Sequence, residues 1–106
     1  MIIYGLKICD TCRKAMKALP TAELRDVRAD GVPDGVLEAA LLQFGDALLN
    51  TRSTTWRGLD DAERAQEPLA LLKAHPALMK RPLISVDNQL FLSWNSEVQS
   101  AVKALL

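Results

Sequence analysis

The chain has 106 residues, 49% hydrophobic and 25% charged, a length and balance that suit one domain, residues 1–106, able to bury a real core. Its 13 basic and 13 acidic residues cancel, which excludes a net electrostatic pull toward nucleic acid, an anionic membrane or an acidic substrate. No apolar run reaches spanning length, and Met1-Ile2-Ile3-Tyr4-Gly5 is too short for a signal-peptide core, so a cytoplasmic protein with no membrane partner is expected.

The first element read along the chain is a short apolar strand, Met1 to Tyr4, closed by Gly5. Lys7-Ile8-Cys9-Asp10-Thr11-Cys12-Arg13-Lys14-Ala15 follows, and it holds the only two cysteines. A helix is predicted from this point, with Asp10 as N-cap, Ala15, Met16 and Leu19 on the apolar face, and Pro20 as its stop. Cys9 then lies in the turn ahead of the helix, where unpaired N–H groups and the positive helix end favour a thiolate. Arg13, one turn on, is expected to point its charge at the same spot. Cys12 shares a face with Ala15, Met16 and Leu19, which makes it the sheltered sulfur.

Other uses of the cysteine pair stay open at this level. A zinc site needs four protein ligands, or three and water, and here there is no third cysteine and a single histidine, His75, far along the chain. A structural disulfide across so short a loop contributes little, about 2 kcal/mol. Two unreactive thiols at a helix start would match the same spacing. Thiol redox chemistry is the reading that uses the placement, the neighbouring charge and a reducing compartment together.

Thr21 to Arg28 alternates loosely through Ala22, Leu24 and Val27 and reads as an edge strand, parallel to the first through the crossover helix. After the turn Gly31-Val32-Pro33-Asp34-Gly35, the residues Val36, Leu37, Ala40, Leu41 and Phe44 fall at helical spacing up to Gly45. Residues 46–79 hold no strand candidate and look helical in short pieces, Asp60 to Ala65 and Leu69 to Ala74, interrupted by Pro68 and Pro76. Leu83 to Val86 and Leu90 to Leu92 form a hairpin about Asp87-Asn88. A last helix runs from Asn95 or Ser96 to Leu106, with Val98, Ala101, Val102 and Leu105 on one face. This order is that of an α/β, thioredoxin-like fold with a helical segment inserted between the β-α-β unit and the C-terminal β-hairpin. In that fold the redox motif occupies the first strand-to-helix loop.

Trp56 and Trp94 are expected to pack rather than to stack on a ligand. His75 is expected at a helix end or surface, and Asp60-Asp61 with Glu63 as a solvated helix start. Lys7, Lys14 and Lys17 surround the thiol motif, either as a solvated basic face or as an attraction for anionic groups of a substrate.

Three motifs in order, Cys9 to Ala15, Leu48-Leu49-Asn50-Thr51-Arg52-Ser53-Thr54-Thr55-Trp56-Arg57 and Lys80-Arg81-Pro82-Leu83-Ile84, resemble the arsenate reductase and Spx family over essentially the whole chain. Thr54 to Arg57 and Phe91-Leu92-Ser93-Trp94-Asn95 are most similar to the short members of the YffB type. The resemblance implies Cys9 as nucleophile, Cys12 as resolving thiol, Arg13 as the cation that steadies the thiolate, and Thr11, Arg52, Arg81 and Pro82 as substrate or glutathione contacts, with Pro82 cis. It implies no bound cofactor or metal, glutathione as co-substrate, and glutathione or a glutaredoxin as partner.

The family's glutaredoxin-linked arsenate reductases have serine at the Cys12 position and hold the oxyanion with several arginines, one of them after the hairpin. No arginine follows Arg81 here. Cys12 is similar instead to the disulfide switch of the Spx regulators, which bind the RNA polymerase α subunit and extend further at the C-terminus. The expected function is therefore a glutathione-linked thiol–disulfide oxidoreductase, with a redox-sensing regulator or a true arsenate reductase as the alternatives.

Overall fold

A computed structural model describes residues 1–106. In chain order its elements are β1 (Ile2–Gly5), α1 (Asp10–Ala18), β2 (Glu23–Asp26), α2 (Asp34–Phe44), α3 (Thr54–Arg57), α4 (Asp61–Arg64), α5 (Pro68–Ala74), β3 (Leu83–Val86), β4 (Gln89–Leu92) and α6 (Ser96–Ala104), with 3₁₀ turns at Gly45–Leu48 and Pro76–Leu78. The backbone gathers into two compact units, residues 1–30 with 81–106, and residues 31–80. No helix is long and apolar enough to cross a membrane.

The first unit is built on a four-stranded sheet of order β2-β1-β3-β4. β1 and β2 are parallel, as a crossover through α1 requires, and β3 pairs antiparallel with both β1 and β4. This is the thioredoxin-like arrangement, with α2 to α5 inserted in the chain between the β-α-β unit and the hairpin. Strand register lines up one row of side chains, Leu24, Ile3, Ile84 and Phe91, across all four strands. That row joins Ala15, Met16 and Leu19 of the first helical stretch and Val98, Val102 and Leu105 near the C-terminus in one apolar cluster, completed by Trp94. Ile3, Ile84 and Val102 are fully buried, each at a gain of about 1.5–3 kcal/mol over an exposed side chain. Trp94 is thus a packing residue. Asn95 ties down α6, its Oδ1 accepting from the Val98 N–H at 2.9 Å.

Most element ends differ from the sequence reading by a residue or two, and three of the differences have a clear local cause. The N-cap of α1 is Cys9, not Asp10: the Cys9 carbonyl already accepts from the Arg13 N–H at 2.9 Å, so Asp10 falls inside the first turn. There its carboxylate still faces the positive helix end. α2 begins at Asp34 and takes in Gly35, because the Pro33 carbonyl accepts from both the Val36 and Leu37 amides at 3.0 Å. The charged strand β2 is shorter than Thr21 to Arg28, and Asp26 turns the chain at once by accepting from the Arg28 and Ala29 amides.

The second unit is a set of short helices held by caps. Ser53 Oγ accepts from the Trp56 N–H to start α3, and Asp60 and Glu63 form a reciprocal capping box at α4. Arg64 stands 5.4 Å from the Trp56 ring centre and donates to the Trp56 carbonyl, so Trp56 is a platform for that arginine. His75 caps the end of α5, with Nε2 3.5 Å from Glu63. The stretch after α2 pairs with the end of the unit: the Asn50 N–H donates to the Leu78 carbonyl at 2.8 Å and the Lys80 N–H to the Leu48 carbonyl at 2.7 Å.

Asp87 and Asn88, at φ 47° and 64°, make the two-residue turn between β3 and β4, the conformation that favours Asn and Gly. Replacing Asn88 with Gly is expected to stabilise the protein by about 0.5 kcal/mol, and replacing it with Val to cost about 1–2 kcal/mol. Urea unfolding midpoints read both changes.

Candidate active site

β1 delivers the chain into a tight turn, in which the Cys9 N–H donates to the Leu6 carbonyl at 3.1 Å. Lys7 and Ile8 project at the rim, and Ile8 is 71% exposed. Cys9 follows as N-cap and Cys12 as the third residue of α1. Both are free thiols, Cys9 half-buried and Cys12 1% exposed. The shared helical face read from the sequence accounts for this: Cys12 lies with Ala15 and Leu19 on the side turned into the core.

The two sulfurs experience opposite surroundings. Around Cys9, partial burial works against the anion, but the Cys12 amide and thiol both direct hydrogen bonds at the sulfur and the Arg81 guanidinium adds a hydrogen bond and its charge. The balance holds the Cys9 thiol below its ordinary range. Burial pushes the Cys12 thiol up to about 12, helped by the neighbouring Cys9 charge and opposed by the Leu6 N–H and by Arg81. Cys12 is therefore a protonated donor at neutral pH and Cys9 an acceptor. No side chain closes a regular cap hydrogen bond at Cys9; the Cys12 N–H, one of the unpaired amides of the first turn, faces its sulfur instead.

The helix end alone contributes about 0.3–1 kcal/mol to an adjacent anion, less than the roughly 1.4 kcal/mol that corresponds to one pKa unit. A directed cation matters for that reason, and it is not Arg13. The Arg13 Nε donates to the Lys7 carbonyl at 2.7 Å, which braces the loop and directs the side chain there, and Arg13 is not among the causes that act on Cys9. Arg81 takes that place. The antiparallel register sets Tyr4 opposite Leu83, so Arg81 and Pro82 enter β3 alongside the end of β1 where Gly5 and Leu6 lead into the motif. The Arg81-Pro82 bond is cis, and the buried Pro82 carbonyl accepts from the Ser93 N–H at 2.8 Å.

Cys9, Cys12 and Arg81 thus come together, with Pro82 following Arg81 at the start of β3, Thr11 half-buried in the first turn of α1 and Arg13 bracing the loop. Arg52 belongs to the second unit. It is exposed and lines an open cleft of ≈ 330 Å³ with Ala47, Leu49, Asn50, Thr51 and Lys80. No group of three or more His, Cys, Asp or Glu side chains is placed to hold a metal ion. Gly5 was read from the sequence only as the close of a strand and Leu6 was given no role, yet Gly5 packs against Cys12 and the Leu6 N–H bonds its sulfur; the visible signal was a glycine closing an apolar strand directly ahead of the motif.

The ArsC family model matches residues 4–102. The chain belongs to the ArsC family. It is 39% identical to an uncharacterized protein of Haemophilus influenzae over 96% of this chain and 97% of that one. Among solved structures it is similar to a YffB protein, at 28% identity and a TM-score of 0.83 over 99% of this chain and 98% of the other. It is also similar to an arsenate reductase (ArsC) related protein from Brucella melitensis, at 28% identity and a TM-score of 0.69 over 98% and 94%.

Replacing Arg81 with Gln is expected to move the pH midpoint of Cys9 alkylation upward and to slow labelling at neutral pH by at least about threefold. Arg13→Gln is expected to change it by less than about twofold. Iodoacetamide rate profiles against pH, with peptide mapping, compare the two.

Proposed function

We propose that this ArsC-family protein is a glutathione-linked thiol–disulfide oxidoreductase with Cys9 as the attacking thiolate and Cys12 as the resolving thiol. The observation that carries the proposal is the asymmetry of the pair: a half-buried Cys9 held toward its anion beside a buried Cys12 held as a thiol. In this reading residues 1–106 work as one catalytic domain, its chemistry placed in the first unit and its compartment a reducing cytoplasm.

The Cys9 thiolate attacks one sulfur of a small disulfide RSSR, forming the Cys9 mixed disulfide and releasing RS⁻. Cys9 is then uncharged, and one of the causes that raise Cys12 disappears. Cys12 can now lose its proton more readily and attack the Cys9 sulfur, closing the Cys9–Cys12 disulfide and releasing the second RS⁻. Two glutathione thiols restore the reduced pair and leave as glutathione disulfide, so RSSR takes up two electrons and two protons in all. A glutaredoxin could serve at the reductive step. Thr11, Arg81 and Pro82 are assigned to contact the incoming disulfide, and Arg52 to the glutathione or substrate anion.

Arsenate is a weaker candidate substrate. An oxyanion loses about 2 kcal/mol, roughly thirtyfold, for each charge-assisted partner removed, and no arginine follows Arg81. A small disulfide depends on the thiolate more than on such a cage.

With Cys12→Ser, treatment with glutathione disulfide is expected to trap Cys9 as a stable glutathione adduct, whereas the parent protein passes on to the intramolecular disulfide. Intact-mass measurement reads the difference; no trapping in the variant, with no internal disulfide in the parent, would make Cys12 a packing residue only. Coupled assays are expected to show glutathione-dependent disulfide reduction and little arsenate reduction, and the reverse pattern would identify an arsenate reductase.

A further inference from the structure

Gly5 occupies the last position of β1, where a glycine normally weakens a strand. The backbone does not explain it. Gly5 is paired in register with Asp26, its carbonyl accepts from the Val27 N–H at 3.1 Å, and its φ lies outside the left-handed region that other residues avoid. Space explains it. A Cβ at this position would stand 2.5 Å from Cys12 Sγ and 3.3 Å from Cys12 Cβ, the first closer than real carbon and sulfur atoms approach.

Neither partner has an easy way to yield. Cys12 is 1% exposed and sits in the first turn of α1, whose core face is pinned by the fully buried Ala15 and by Leu19. A change of rotamer would carry the sulfur off the Leu6 N–H and away from Cys9. A strand that approaches a helix this closely at one sulfur leaves room for hydrogen on the strand and for nothing larger.

We propose that Gly5 is a positioning residue for the thiol pair, its missing side chain forming the seat that holds the Cys12 sulfur between the Leu6 amide and Cys9. The seat gives Cys12 two duties. It directs the S–H at the Cys9 sulfur in the reduced protein, and it keeps the sulfur within reach for the resolving attack. A side chain at position 5 removes both together while leaving Cys9, Arg81 and the helix end in place. The inference rests on the assignment of Cys9 and Cys12 as a reacting pair, and it deepens that assignment by naming what fixes their distance.

The test is a double-variant cycle on the full chain, Gly5→Ala, Cys12→Ala and both together, read by the pH midpoint of Cys9 alkylation with iodoacetamide in the absence of glutathione or any disulfide substrate. Gly5→Ala is expected to raise the midpoint, to slow Cys9 labelling at neutral pH by about tenfold, and, on separate treatment with glutathione disulfide as oxidant, to slow formation of the internal disulfide by at least as much. In the Cys12→Ala background, where the obstructing sulfur is gone, adding Gly5→Ala is expected to change Cys9 labelling by less than about twofold. If Gly5→Ala alone does not fold, the double variant is expected to fold, which thermal unfolding reports. Equal effects in both backgrounds, no effect in the parent, or a double variant that also fails to fold would overturn the proposal. Because the alkylation readout needs no turnover, a protein that proved to be no reductase would still pass or fail it.

Discussion

The contact on which the site depends is that of the Cys12 sulfur with its three neighbours: Gly5 behind it, the Leu6 N–H on one side and Cys9 on the other. Burial penalises an anion there, so Cys12 keeps its proton. Because it keeps its proton it can donate, and Cys9 receives what it donates. The same exclusion of solvent that withholds one sulfur from reaction therefore favours the reactive form of the other. Arg81 adds charge to this arrangement, but without the sulfur in its seat Cys9 would lose one of its hydrogen-bond donors.

The scaffold holds that contact rigidly by using β1 twice. Its middle residue Ile3 anchors the row of apolar side chains across the sheet, and its end, Gly5 with Leu6, forms the floor of the thiol site. α1 is fixed against the same sheet by Ala15 and Leu19, so the distance from strand to helix is set by the core rather than by the loop. β3, paired to β1 on the side away from β2, brings Arg81 and Pro82 to the same end. Core packing and thiol chemistry are thereby coupled: a substitution that loosens the α1 face would be felt first at Cys12.

Much of this was legible in the sequence where periodicity and punctuation are strong. The apolar face Ala15, Met16, Leu19, the Asp87-Asn88 turn, the edge character of the charged second strand and the sheltered position of Cys12 all follow from spacing and residue type. The role of Arg13 did not. One turn of helix brings it near Cys9 on paper, but a side chain that long chooses its partner from everything within reach, and the Lys7 carbonyl satisfies it. Arg81, far along the chain, acts on Cys9 through strand register, which a motif cannot display. Gly5 was hidden for a similar reason: its significance is an empty volume, defined by a sulfur seven residues away on another element. In the second unit the short helices are set by local caps such as Ser53 and Asp60, which leave a weak periodic signal over four residues.

The central claim is that access and charge divide the two sulfurs, Cys9 facing the partner and Cys12 withheld from it. The most direct measurement is to oxidise the reduced protein to its internal disulfide, mix it briefly with glutathione, quench with acid and map which cysteine carries the glutathione. The account predicts the adduct on Cys9 alone, because an external thiolate can reach only that sulfur. Glutathione found on Cys12 would contradict it.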